Sequence, residues 1–447
     1  VGRFFIQNFG CRATQADGAA LAHMLAERGL AAAERPRDAD LVILNTCTVT
    51  AAADEDVRQA VRRVRSENPA ARILVTGCYA QRAPEELAAM PGVTWVVGNS
   101  HKLQIPQIVC ETEGAAPYHG QIYVGDIFAQ RDFLAAVVED AFGDRTRPNL
   151  KIQDGCNNRC SFCIIPFVRG RSRSAPPEVV IAQVRRLAER YREVVLSGIN
   201  LGRWGRDLGD RMRLADLLRR LLEQTPVERI RLSSIEPMDW SDDLLELMAT
   251  SPRIARHVHA PLQTGSDAVL RRMRRRYRAK HYADRIWKAR RAMPLAAIGA
   301  DVMVGFPGET DAEFEENRRF IAELPLTYLH VFTYSARPGT PAAEMANQVP
   351  VAVRRERNRV LRELAAAKNL EFRRQMVGRR LSAVTLGQER TALTDNYLKV
   401  ELAQARPSNQ LIEVEIGDLA PEGLREASPL PVLCCVSGSN GLHPPAA

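Results

Sequence analysis

Cys156, Cys160 and Cys163 stand in a CxxxCxxC spacing within residues 155–163, with no fourth cysteine close by. Three thiolates would close three irons of a cubane 4Fe-4S cluster and leave the fourth iron open to a ligand from outside the protein. An open iron is a place for chemistry. Structural zinc is the competing reading, but it takes four Cys or His ligands at CxxC-type spacing, and the nearest histidines are far away in the chain. A second trio, Cys11, Cys47 and Cys78, occupies three equivalent places in the first hundred residues, each after an apolar run bounded by Asn or Gly: 3–6, 41–44 and 73–76. Burial as small apolar residues would explain one such position more easily than three.

Those runs must bring the cysteines together. Helical patterns over 16–27 and 51–68 turn the first hundred residues into repeated βαβ units. In a doubly wound parallel sheet the strands end on one edge, where ligands bind at the topological switch point, so cysteines at three strand ends converge. The middle of the chain alternates strands, expected at 150–153, 193–196, 230–233, 257–260, 300–304 and 328–332, with amphipathic helices such as 177–191, 212–224 and 311–324. Six such units form a partial (β/α)6 barrel, with its site at the carboxyl ends of its strands. A helix over 351–376 then gives way to short strands at 381–386, 392–402 and 411–416, an OB-like small β-barrel. The expected fold class is α/β with three bodies. They are an N-terminal doubly wound parallel sheet at 1–111, a central barrel at 142–372 after a linker at 112–141, and a C-terminal β-barrel at 376–437.

At 447 residues the chain exceeds a single core. Its 45% hydrophobic and 26% charged content is that of a globular protein and argues against disorder or a membrane class. No apolar run is long enough to span a bilayer, and the N-terminus reads into strand-like Phe4-Phe5-Ile6 rather than a signal peptide. A cytoplasmic location without a membrane partner is expected, in a compartment reducing enough to keep the ligand cysteines as thiols. Cys110 reads as an ordinary buried thiol, and Cys434 and Cys435 adjoin a tail expected to fray. The net charge of +9, carried mostly by arginine, suits an acidic polymer as partner, although solvated helix faces would carry the same composition.

Phe9-Gly10-Cys11-Arg12, Asn45-Thr46-Cys47-Thr48-Val49-Thr50, Thr76-Gly77-Cys78, Lys151-Ile152-Gln153-Asp154-Gly155-Cys156, Ser197-Gly198-Ile199-Asn200 and Ser233-Ser234-Ile235-Glu236-Pro237 follow one another along the chain. Together they resemble the methylthiotransferases, a branch of the radical S-adenosylmethionine (SAM) superfamily, over nearly the whole length. Departures are mild: Ser197 and Thr264 exchange one small hydroxyl residue for another. The resemblance implies two 4Fe-4S clusters, one held by Cys11, Cys47 and Cys78 and one held by Cys156, Cys160 and Cys163 with SAM on its free iron. It also implies a deoxyadenosyl radical as the agent that removes hydrogen. The C-terminal barrel resembles the TRAM domain, which holds RNA.

Strand-end positions and the resemblance together put SAM against Phe162, Ser197, Gly198, Ser234, Glu236, Gln263 and Asp301. Glu309 reads rather as a helix-start carboxylate, and His257 and His259 share one face of a strand. Substrate is expected at Arg169, Arg173, Arg275, Arg276 and Tyr277, basic residues interleaved with an aromatic, and at Asn396 and Tyr397. Arg12 after the first cysteine, and Leu393 to Tyr397, are similar to the branch that adds a methylthio group to carbon 2 of N6-threonylcarbamoyladenosine at tRNA position 37. Isopentenyladenosine in tRNA or a ribosomal-protein aspartate are the alternative substrates, and a zinc-binding, non-enzymatic RNA-binding protein is the alternative class. The implied partners are tRNA, a flavodoxin- or ferredoxin-like electron donor and a sulfur donor.

Overall fold

A computed structural model describes residues 2–111, 120–130, 133, 146–209, 211–387 and 390–427. Apolar runs rich in Val, Ile and Leu form β1 (Arg3–Asn8), β2 (Ala31–Ala32), β3 (Leu41–Thr46), β4 (Arg72–Gly77), β5 (Val93–Gly98) and β6 (Gln121–Tyr123). They pair in parallel in the order β2-β1-β3-β4-β5-β6. Alternate residues serve opposite faces. Val42, Leu44 and Val75 pack under Val57 and Val61 of the helix Ala51–Glu67, while Leu41, Ile43 and Leu74 pack under Leu21 and Leu25 of the helix Arg12–Glu27. The sheet is therefore doubly wound, with its strand order reversing between β1 and β3. Because β6 joins this sheet, the first body runs past the expected boundary at 111. Of the rest of the expected linker, residues 120, 124–130 and 133 are described, and Cys434 and Cys435 lie outside the described residues. Cys110 is exposed rather than buried.

The central body contains β7 (Asn149–Asp154), β8 (Arg173–Ser174), β9 (Glu193–Gly198), β10 (Arg229–Leu232), β11 (His257–His259), β12 (Ala297–Val304) and β13 (Tyr328–Thr333). All but β8 run parallel; β8 adds to the edge of β7 in the opposite sense. The arc divides into β8-β7-β9-β10 and β11-β12-β13, joined by an isolated bridge between Ile230 and Ile254. Helices such as Pro177–Ala188, Leu214–Gln224 and Asp311–Glu323 cover the outside, where Leu196, Ile230, Val258 and Ile298 form one apolar cluster with them. Along β13, Leu329 and Val331 pack into that outer layer. Period-two alternation then turns Tyr328, His330 and Phe332 to the lumen.

The C-terminal body is a closed barrel of β14 (Arg380–Thr385), β15 (Thr391–Thr394), β16 (Lys399–Glu401), β17 (Leu411–Ala420) and β18 (Gly423–Glu426). Residues 392–402, expected as one strand, are two antiparallel strands. The turn between them places Tyr397 at φ 66 and is held by Thr394 Oγ1, which accepts from the Leu398 N–H at 2.8 Å. Among the described residues no helix is long and apolar enough to cross a membrane.

Candidate active site

Cys47 and Cys78 directly follow β3 and β4, and Cys11 lies three residues past the end of β1, so the switch-point edge gathers them. Two glycines allow the approach. A Cβ on Gly10, at φ +88, would lie 2.5 Å from Cys47 Cβ, and one on Gly77, at φ +101, would lie 2.5 Å from the Thr46 carbonyl oxygen. Burial, then the neighbouring Cys78 and Cys11, push the Cys47 thiol up to about 12. Asn99 Nδ2 lies 3.7 Å from Cys78 Sγ.

The second trio is fixed by loop geometry. The Cys156 N–H donates to the Gly170 carbonyl at 3.1 Å, and Ser161 is pinned by Met273 O at 3.0 Å and Arg272 O at 2.8 Å. Donors surround the sulfurs: Asn158 N at 3.4 Å and Asn200 Nδ2 at 3.7 Å from Cys156, and Arg275 Nη1 at 3.3 Å from Cys160. Burial, followed by Cys160, pushes the Cys163 thiol up to about 12.

Sulfur spacing distinguishes the metals. A single zinc ion with arms of about 2.3 Å would hold its thiolates about 3.8 Å apart. Among the described residues, the group of three or more potential ligands gathered within 4.8 Å of one another is His259, Asp301 and His330, and neither cysteine trio meets that distance. Wide-set thiols ringed by N–H donors fit a polynuclear iron–sulfur cluster at each trio.

One short helix, Ile165–Arg169, links the two trios, following Cys163 in the chain and packing against Cys78. Cys78 packs against Ile164 and Val168, and Asn99 Nδ2 also donates to Val168 O at 2.7 Å. Behind this helix lies a buried nest of charge. Arg169 donates to Asp154 at 3.0 Å and to Asp17 at 3.0 Å; Lys151 pairs with both carboxylates, and Lys102 reaches Asp17 at 3.1 Å. Burial alone would raise Asp17 and Asp154, but these cations outweigh it and hold both well below the carboxylate range. With Arg173 3.9 Å from Asp154, four cations face these two carboxylates, so the nest carries net positive charge. A second clasp joins the bodies where Asp54, after Cys47, meets Arg82 and Arg337.

The expected cofactor residues cluster at the strand ends, with different duties. Glu236 pairs with Arg275, so Arg275 secures the cluster loop rather than standing free for substrate. Gly198 leaves room for Gln153, whose Oε1 accepts from Asn200 N at 2.6 Å. Phe162 meets Phe306 edge-on at 6.4 Å. Ser197 is buried within β9, and Gln263, at φ 67, bridges to β12 through Asp301 O at 2.8 Å. Ser234 Oγ contacts His259 Nδ1 at 2.6 Å; Asp301 Oδ1 lies 3.3 Å from His259 Nε2 and 3.2 Å from His330 Nδ1. Glu309 is buried on Arg357, away from this cluster.

Several residues expected to meet substrate are engaged inside the protein. Arg169 is buried in the nest, and the Tyr277 hydroxyl is engaged by Leu262 O at 2.6 Å and Pro261 O at 3.0 Å. Asn396 is buried on Leu295 O at 3.0 Å, and Tyr397 stacks on His257 at 4.3 Å beneath the central barrel. Arg173 is mostly buried near Asp154, whereas Arg276 is exposed beside Asn157, Asn158, Arg203 and Arg206. Sequence reasoning missed Asp17, Lys102, Asn99, Asn200 and the exposed patch in which Arg159 lies over Phe128 at 5.5 Å and Phe167 at 5.9 Å. Only Lys151, Asp154 and Asn200 had a signal, as members of motifs whose cysteines and glycines drew the attention.

Residues 3–98 match the uncharacterized protein family UPF0004, and residues 150–321 match the radical SAM superfamily. The threonylcarbamoyladenosine tRNA methylthiotransferase MtaB of Bacillus subtilis is 41% identical over 88% of both chains. Its Aquifex aeolicus namesake is 36% identical over 92% of this chain and 99% of that one. A tRNA-2-methylthio-N(6)-dimethylallyladenosine synthase of Saccharopolyspora erythraea is 36% identical over 84% of this chain and 76% of that one. The radical SAM methyltransferase TsrM of Kitasatospora setae shares the fold, with a TM-score of 0.56 at 15% identity over 76% of each chain. Paired three-cysteine sites on a doubly wound sheet and a partial barrel, with identity of this extent, place the chain in the radical SAM tRNA methylthiotransferase family.

Proposed function

We propose that this chain inserts a methylthio group at carbon 2 of N6-threonylcarbamoyladenosine, at position 37 beside the anticodon of tRNA. The observation that carries the reading is the shared helix: Ile165–Arg169 continues directly from the loop of Cys156, Cys160 and Cys163 and packs against Cys78 of the other trio. A carbon–hydrogen bond is exchanged for a carbon–sulfur bond, so hydrogen removal and sulfur delivery must meet at one atom. When bound, the clusters and two equivalents of SAM would supply the electron, the hydrogen-abstracting radical, the sulfur and the methyl group.

The protein's own residues do the positioning. Arg275 and Asn200 hold Cys160 and Cys156 in place, and Glu236, Ser234 and Asp301 line the strand ends where SAM would lie. The Arg169 nest balances thiolate charge and locks the two bodies in register. Arg159 over Phe128 and Phe167, with Phe167 43% exposed, offers a cation and ring faces to an unstacked loop. An electron donor of flavodoxin or ferredoxin type and a separate sulfur source complete the reaction. RNA contact by the C-terminal barrel runs through surfaces other than the Asn396 turn.

The test is mass spectrometry of nucleosides from a strain lacking this gene. Disappearance of the methylthio form, with accumulation of plain threonylcarbamoyladenosine, is expected. An unchanged profile, or loss of the dimethylallyl derivative instead, would reject the reading.

A further inference from the structure

Three neighbouring strands bring nitrogen and oxygen donors together on the inner face of the central arc. β12 is the middle strand, and its register aligns His259 of β11 and Tyr328 of β13 with Gly299, and His330 of β13 with Asp301. Residues two apart on a strand share a face, so these side chains converge. Gly299 makes the room. A Cβ there would lie 1.9 Å from the Tyr328 ring. Tyr328 can therefore cross to His257, with its hydroxyl 2.7 Å from His257 Nε2. His257 is thereby engaged, and His259 is left facing Asp301 and His330.

Asp301 Oδ1 lies 3.3 Å from His259 Nε2 and 3.2 Å from His330 Nδ1, and the three donor atoms all lie within 4.8 Å of one another. Atoms held at about 2.1 Å by one tetrahedral ion stand about 3.4 Å apart, so the spacing is that of a mononuclear site. A chain of hydrogen bonds is the competing account. It explains His330, whose Nδ1 bonds to the carboxylate, but not His259. His259 is 6% exposed, and its Nε2 has no hydrogen-bond partner among the described residues, the carboxylate being near but out of line. Ser234 Oγ, 2.6 Å from Nδ1, occupies the other ring nitrogen. With that hydroxyl accepting from Nδ1–H, Nε2 turns a lone pair toward a carboxylate that has no proton to give it. A cation between them satisfies both.

We propose that His259, Asp301 and His330 form a site for one divalent first-row cation, built from residues outside both cysteine trios. Two imidazoles and a carboxylate suit zinc or ferrous iron, whereas magnesium and calcium take shells of oxygen. Ser234 fixes the tautomer and the ring of His259 from outside the coordination shell. Three protein ligands leave at least one position for water or for an anionic or carbonyl oxygen brought by a bound molecule, which the cation would polarise. The side chains of His330 and Asp301 are 51% and 24% exposed, so that position is reached from solvent.

The experiment loads untagged, anaerobically reconstituted holoenzyme with zinc chloride. Zinc is the probe because iron at this site would be lost in the signal of the clusters, and such donors bind zinc more tightly than ferrous iron. One equivalent of zinc per chain is expected after desalting, with iron content unchanged. Zinc K-edge fine structure is expected to show nitrogen and oxygen at about 2.0–2.1 Å, without sulfur at about 2.3 Å. His330→Ala removes one ligand from a half-exposed position; its zinc affinity is expected to fall by at least about tenfold while its iron is retained. Should His330→Ala lose its clusters, Asp301→Asn, which keeps the shape of the side chain, is read in its place. Wild type that holds no zinc, sulfur in its zinc shell, or undiminished zinc affinity in the clustered variant would overturn the inference. None of these outcomes alters the nucleoside profile expected of the methylthio reading, so the two stand or fall separately.

Discussion

Cys160 and Cys47 belong to different trios, and their loss should be felt in different products. Cys160→Ala is expected to abolish SAM cleavage, seen as absence of deoxyadenosine in anaerobic assays with a chemical reductant. Cys47→Ala is expected to keep cleavage within about threefold while the methylthio nucleoside disappears; equal loss of cleavage in both variants would count against separate duties. The two cysteine trios were legible because spacing and strand-end position are properties of the sequence. The roles of Arg169, Arg275 and Tyr277 were not. Arg275 is 115 positions from Cys160 and Arg169 is 152 from Asp17, so only folding shows that these arginines are consumed inside the protein.

Helix Ile165–Arg169 and the charges behind it set the distance between the two halves of the site. Asp17→Ala would leave Lys102, Lys151 and Arg169 with one carboxylate among them, and urea unfolding is expected to show a loss of about 3–5 kcal/mol. The stabilisation from Asp17 and Asp154 is present above the ordinary carboxylate range and is lost as pH falls through their depressed folded values. On β11, His257 is held well below its ordinary 6.5 by burial and Arg231, with His259 and Arg12 adding and Tyr328 and Tyr397 packed against it. The unfolded chain therefore binds the extra proton first, and stability declines as pH drops below about 6.5. His257→Gln is expected to flatten the stability profile between pH 7 and 5, read from urea midpoints. At this scale the strands expected from apolar runs lie within a few residues of their places, whereas β2, β5, β6, β8 and β18 were not foreseen. The split at Asp395 was hidden because the turn residue, Tyr397, is an aromatic that passes for a strand residue.

The C-terminal barrel is built into the central body as well as joined to it. Arg231 donates to Thr394 O at 3.0 Å and Asp395 O at 3.1 Å, Arg229 reaches Ser382 at 2.5 Å, and Ala297 packs with Phe372 and Met376. A truncation after Arg374 would uncover Arg229, Arg231 and His257. Its melting temperature is expected to fall by about 5 °C or more, beyond any weakening of RNA affinity; an unchanged melt would show the barrel to be an appendage. Sequence pattern marked the barrel as a separate unit, but docking depends on which side of the turn faces the core, and no periodicity reports that.

Tyr397, stacked on His257 under Arg231, has one more effect. It covers His257 at the base of the central arc, on the side away from the cluster loop. Exclusion of water and oxygen beside the cluster loop is then left to what seats there, and the visiting nucleoside is suited to do so. Wasteful consumption of SAM should accordingly run fastest in the empty enzyme and subside once RNA is seated.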